Sequence, residues 1–133
     1  HRLQIVREYR GVRCFNDSKS TTPDATRLAV DAFDGTPVHL IVGGSDKGAD
    51  LSPIAELKVR VRSLLCIGAT GETIASLAGI EPVRTLEIAV TIAAERAEPG
   101  DVILLSPGCA SFDQFTSFEH RGDRFAELVD SLR

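Results

Sequence analysis

The chain has 133 residues, of which 43% are hydrophobic and 26% charged, with a formal net charge of −4. That is the balance of an ordinary globular domain with one core. The acidic balance argues against a nucleic-acid partner, which needs a cationic surface, and no apolar stretch approaches the ~20 residues of a membrane helix.

Residues 3–6 and 12–15 read as two strands joined by a turn around Arg10-Gly11. A helix follows from about Pro23 to Phe33, with Ala25, Leu28, Ala29, Ala32 and Phe33 on one face. Thr22 suits its cap, Pro23 its first position, Asp24 the positive end of its dipole, and Gly35 sits just past its end. "VHLIVGG", 38–44, is a buried strand closed by two glycines. Ser52-Pro53 opens a helix to about Val59, and "SLLCIG", 63–68, is the next buried strand. A short helix ends at Gly79, and a short strand near Val83 precedes a helix capped by Thr85, with Leu86, Ala89, Val90 and Ala93 inside. Pro99-Gly100 breaks that helix, "DVILLS", 101–106, is the last buried strand, and Phe118, Phe125, Leu128, Val129 and Leu132 mark a final helix. Apolar strands alternating with amphipathic helices predict an α/β fold. It is a Rossmann-like, mostly parallel sheet with helices on both faces, in one domain over residues 1–133. His39, inside a strand, is expected to be a packed or an edge histidine, and His120 a solvated helix residue.

The cysteines Cys14, Cys66 and Cys109 are odd in number and widely spaced. They read as reduced thiols of a cytosolic protein, not as a disulfide set or a zinc site. There is no methionine, even at position 1, and no signal peptide. The abrupt start at His1-Arg2 suggests a domain of a longer protein.

Ligands of such sheets bind at the carboxyl ends of the strands, and three of these ends are rich in polar residues. After Phe15 comes "NDSKSTTPDAT", 16–26. A helix amino terminus favours an anion, Lys19 adds a charge and Thr21 a hydroxyl; a capped polar turn accounts for Thr22-Pro23-Asp24 equally well. A metal reading fails because Lys19 stands where a second ligand would be needed. The second end, "GGSDKGAD", 43–50, is neither a P-loop nor a dinucleotide fingerprint. Its glycines permit close backbone approach, and Lys47 at the tip is either a ligand or a solvated turn residue. The third end, "LLSPGCASFDQFTSF", 104–118, offers the hydroxyl and N–H of Ser111 to a carboxylate. Cys109 has no histidine nearby in sequence and reads as structural, and at least one of Phe112, Phe115 and Phe118 should be core. Lys19, Thr21, Lys47 and Ser111 together make a cationic, hydroxyl-rich pocket for a small polyanion. No paired base and nucleophile accompany them.

At these residues the chain resembles a known family. "HR" at 1–2, "NDSK.T" at 16–21, "GG..KG.D" at 43–50, "LLSPGCASFDQF" at 104–115 and "F..RGD.F" at 118–125 are similar to the carboxy-terminal domain of the D-glutamate-adding Mur ligases. The resemblance spans essentially the whole chain in the family's order. The Asp-Asn-Pro-Arg motif of the diaminopimelate-adding sister enzymes is absent.

The resemblance implies a cytoplasmic, monomeric ligase of peptidoglycan synthesis, and so of cell-wall biogenesis, cell shape and division. ATP with Mg2+ would phosphorylate the alanine carboxylate of UDP-N-acetylmuramoyl-L-alanine, and the amine of D-glutamate would attack the acyl phosphate. The uridine-nucleotide domain and the P-loop domain would lie outside this chain, so the fragment alone would be inactive and would hold no metal or catalytic group. By resemblance, Lys47 and Thr21 hold the α-carboxylate of D-glutamate. Ser111 and the N–H of Phe112 hold its side-chain carboxylate, and Phe118 lines that end. Arg2, Asp17 and Lys19 face the nucleotide, and His1 sits at the interdomain hinge. Ser20, Thr22 and Gly108 depart from the family's usual alanine, asparagine and alanine. Two other readings remain open: a free-standing small-anion binding or regulatory domain, and a sister ligase for another acidic amino acid.

Overall fold

The computed structural model describes residues 1–133. Its strands are β1 (Gln4–Tyr9), β2 (Val12–Asn16), β3 (Val38–Val42), β4 (Ser63–Cys66) and β5 (Val102–Leu105). They form one sheet in the order β1-β2-β5-β3-β4. The β1–β2 hairpin is antiparallel, and β2–β5, β5–β3 and β3–β4 are parallel. The helices are α1 (Pro23–Asp31), α2 (Ser52–Glu56), α3 (Gly71–Ala78), α4 (Leu86–Arg96) and α5 (Phe118–Asp130).

The period-2 alternation of buried strand residues divides the core. Leu40, Val42, Leu64 and Leu104 pack against Val30 of α1, Ile54 of α2 and Ile74 of α3. Ile41, Leu65, Ile103 and Leu105 point the other way, to Ala89 and Val90 of α4 and to Phe125 and Val129 of α5. This is the parallel sheet covered on both faces that the alternating pattern predicts.

The predicted caps hold. Thr22 accepts the N–H of Ala25, and Thr85 that of Ile88. Three expectations change. The helix expected over 52–59 stops at Glu56 and tightens to a 3-10 turn over Leu57–Arg60. The strand near Val83 reduces to a single parallel bridge between Ile67 and Arg84. The first strand begins at Gln4 and runs on to Tyr9, because it is an edge strand whose half-exposed side chains lack a clear apolar period.

β5 joins the sheet between β2 and β3, so the carboxyl ends of β2, β3 and β5 lie side by side at the centre. No helix is long and apolar enough to cross a membrane.

Candidate functional site

The three strand-end loops are tied into one surface by backbone hydrogen bonds. Asp17 N–H donates to Leu105 O at 2.8 Å, and Gly108 N–H to Ser20 O at 2.9 Å. Gly43 N–H donates to Pro107 O at 2.9 Å, and Ser45 N–H to Ala110 O at 2.8 Å. Lys19 N–H donates to His1 O at 3.0 Å, which brings the start of the chain onto the first loop. The structure therefore brings the segments of all the proposed site residues together.

The first loop is organised from inside by Asp17, which is 1% exposed. One carboxylate oxygen accepts Leu3 N–H at 3.1 Å. The other accepts the hydroxyls of Ser20 at 2.5 Å and Ser106 at 2.7 Å. Asp17 thus turns inward, while Lys19 is exposed and Thr21 half-buried. Arg2, Lys19 and Lys47 make no ion pair within the chain, as is true of ten of its fifteen Lys and Arg residues. His1 is half-buried, 2.9 Å from Asn16 Nδ2 through its own Nδ1, with its ring edge-on to Phe118 at 6.0 Å between centroids.

The second loop presses against the third so closely that Gly44 has no room for a side chain. A Cβ there would lie 2.2 Å from Ala110 O. Thr70 Oγ1 accepts Gly44 N–H at 3.0 Å and donates to Gly44 O, which fixes the turn that leads to the exposed Lys47.

In the third loop Ser111 is 2% exposed as a residue; its hydroxyl makes no hydrogen bond within the chain, and since no buried polar side-chain atom lacks a partner, that hydroxyl reaches the surface. Phe112 is 73% exposed, Phe115 packs on the α4–α5 core, and Phe118 is half-buried at the start of α5. Cys109 Sγ lies 3.4 Å from Thr70 Oγ1, and burial pushes its thiol up despite the Thr70 hydrogen bond and the charges of Arg121 and Lys47. A protonated, buried thiol is a poor nucleophile.

Sequence reasoning missed the residue at the centre of this assembly. Arg121 is 0% exposed. Its Nε donates to Ser18 Oγ, Nη1 to Cys109 O and Nη2 to Ser18 O, each at 2.9 Å. Ser18 Oγ donates in turn to Phe118 O at 2.7 Å. Burial pulls the guanidinium down to about 10, so it remains charged at neutral pH. The signal was present in "RGD", 121–123, but an arginine on a helix reads as solvated until tertiary structure covers it.

His39 lies on an inner strand, between β5 and β4, so of its two expected positions the packed one holds. Its Nδ1 is 2.9 Å from Ser63 Oγ, and its Nε2 is 2.9 Å from Asp101 Oδ2. The largest cavity, about 800 Å3, runs along the outer edge of β4 beside Ser63, Val83 and Arg96, away from the strand ends. The strand-end face is open, with a smaller hollow of about 350 Å3 at its border beside Thr22, Asp24, Arg27 and Asp50. No group of three or more His, Cys, Asp or Glu side chains is placed to hold a metal ion.

Unpaired cations beside a free hydroxyl on loops of fixed geometry can bind a small anion with two charged ends. The family described as "Mur ligase, glutamate ligase domain" matches residues 1–109. The UDP-N-acetylmuramoylalanine--D-glutamate ligase of Solibacter usitatus is 48% identical over 99% of this chain and 31% of its own length. That of Escherichia coli K12 is 44% identical over the same shares, 99% and 31%. The chain thus spans under a third of the length of these curated relatives. The solved structure of Escherichia coli FolC in complex with DHPP and ADP superposes with a TM-score of 0.68 over 97% of this chain and 31% of that one, at 24% identity, which speaks to the fold alone. By its match over residues 1–109, the chain belongs to the Mur ligase glutamate ligase domain family.

Proposed function

We propose that this chain is the D-glutamate-binding domain of an ATP-dependent ligase that joins D-glutamate to UDP-N-acetylmuramoyl-L-alanine in cytoplasmic peptidoglycan synthesis. The observation that carries the reading is identity of 44–48% over nearly all of the chain to ligases named for that reaction. The free cations and the unused Ser111 hydroxyl support it.

In this reading D-glutamate is held at both carboxylates. Lys47 and Thr21 take the α-carboxylate. Ser111 Oγ and the N–H of Phe112 take the side-chain carboxylate, and Phe118 lines that end. Two anchors a fixed distance apart select chain length. They also leave the amine as the free end, the end that must attack an activated carboxyl group.

Arg2 and Lys19 face the nucleotide, their charges directed at phosphate. Asp17 serves that side from within, since its oxygens hold Leu3 N–H and the Ser20 hydroxyl, which follow Arg2 and Lys19 in the chain. His1 marks the hinge toward the preceding domains. ATP supplies the phosphoryl group that activates the acceptor carboxylate. In this reading the magnesium ligands lie mainly in the rest of the parent enzyme, which acts as a monomer.

The test is amino-acid-dependent phosphate release by the full-length parent, offered D-glutamate, L-glutamate, D-aspartate and diaminopimelate in turn. Release with D-glutamate above all others is expected. Preference for another amino acid would assign the chain to a sister ligase, and release with none of them would leave a plain anion-binding domain.

A further inference from the structure

We propose that Asp113 is a positioning residue that holds the Ser111–Phe112 clamp in place for the side-chain carboxylate of D-glutamate. The inference rests on the function proposed above. Residues 112–117 form no helix or strand, so something must fix a loop that presents one free hydroxyl and one N–H to a ligand. Two neighbouring side chains tie it to one adjoining patch of backbone, where Gly68 N–H donates to Arg84 O at 3.0 Å. Asp113 Oδ2 accepts Ala69 N–H at 2.9 Å, at the turn leading into α3. Gln114 Nε2 donates to Arg84 O at 3.2 Å, just ahead of α4. Within the loop, Phe115 N–H donates to Ser111 O at 2.9 Å.

Gly68 is shaped around the same contact. Its φ is +73°, and a Cβ there would lie 2.3 Å from Asp113 Oδ2. Any side chain at 68 would displace the carboxylate. Before the clamp, Arg121 Nη1 holds Cys109 O, two residues ahead of Ser111. The loop is thus fastened on both sides of the clamp, by Arg121 before it and by Asp113 after it.

A carboxylate beside a site for another carboxylate repels it, so the role of Asp113 must outweigh that repulsion. The positioning role needs only an acceptor atom, which an amide supplies as well. This separates geometry from charge. In the full-length parent, Asp113→Ala is expected to raise KM for D-glutamate by about 3- to 13-fold, the range of one ordinary hydrogen bond, because the carboxylate is exposed. KM for ATP should stay within roughly twofold, because its proposed contacts lie on a different loop. Asp113→Asn keeps the acceptor and is expected to stay within about twofold of wild type for both. Gly68→Ala is no substitute for Asp113→Ala, because its Cβ would also lie 3.0 Å from Gly44 Cα on a backbone of φ +73°.

Unchanged KM for D-glutamate in Asp113→Ala would overturn the proposal. So would an equal rise for ATP, which would signal general loosening, or an Asp113→Asn variant as poor as the alanine one. Wild-type turnover separates the two layers of argument. No turnover with D-glutamate overturns the proposed function and this inference with it; turnover with an indifferent Asp113 overturns this inference alone.

Discussion

Lys47 and Arg121 both bring positive charge to the strand-end face, and the chain treats them in opposite ways. Arg121 spends its donors on Ser18 and Cys109 and is sealed from water. Lys47 is exposed and makes no ion pair, so its charge is available to a ligand. Removing Lys47 should therefore act on binding rather than on stability. In the parent ligase, Lys47→Ala is expected to raise KM for D-glutamate by roughly 10- to 150-fold, from ~1.5–3 kcal/mol for a charge-assisted pair. The melting temperature should move little. An unchanged KM would remove Lys47 from the site. Lys19 and Thr21 could be proposed from the sequence because they are surplus to the cap of α1, and Lys47 and Ser111 because they sit at the ends of neighbouring strands. Ser18 and Ser20 could not. Their partners, Arg121 and Asp17, are reached only through tertiary contact or through an inward-turned carboxylate.

At the scale of elements, the strands themselves carry a polar network that hydrophobic patterning cannot reveal. Ser63 of β4, His39 of β3 and Asp101, just ahead of β5, form a hydrogen-bonded row across the sheet. It satisfies polar groups that parallel-strand packing would otherwise strand in the core. Burial pushes the Asp101 carboxyl up, but His39, the Glu98 N–H and the charge of Arg62 outweigh it and leave it below the usual carboxylate range. The sign of the consequence follows from linkage. A carboxyl depressed in the folded state contributes stability that is complete above its unfolded value of ~3.9 and is lost as pH falls through the folded value. Asp101→Asn should thus destabilise the chain by about 1–3 kcal/mol at pH 7. The gap from wild type should narrow below about pH 4, as followed by thermal melts. A gap that stays constant down to pH 3 would show that Asp101 titrates normally. The elements themselves were readable where a cap and a period coincide, as in α1 and α4 with Thr22 and Thr85. They were misjudged where pattern is thin. The stretch near Val83 is apolar enough for a strand, but only Arg84 completes a bridge.

For the whole molecule, sequence pattern supplied the parallel sheet but not its order. Inserting β5 between β2 and β3 is a property of crossovers, not of any one segment. That insertion is what makes three distant loops neighbours, so the pocket inferred from residue chemistry becomes a single surface only in the fold. The surface is open. Its free cations face solvent, and the hollow at its border measures only about 350 Å3. An open face leaves a small dicarboxylate largely hydrated, so under the proposed function closure against the rest of the parent enzyme would exclude that water. The isolated chain also lacks the G-x-x-x-x-G-K-[ST] loop that cradles ATP phosphates. Two outcomes are expected of it alone. It should hydrolyse no ATP, with or without D-glutamate. Its melting temperature should also be indifferent to D-glutamate in the millimolar range. The second measurement is the sharper one. A ligand present at a hundred times its Kd adds about 2.7 kcal/mol to folding stability, on the order of 10 °C for a chain of this size. A shift that large would mean the site is complete within these residues, and domain closure would then serve the chemistry alone.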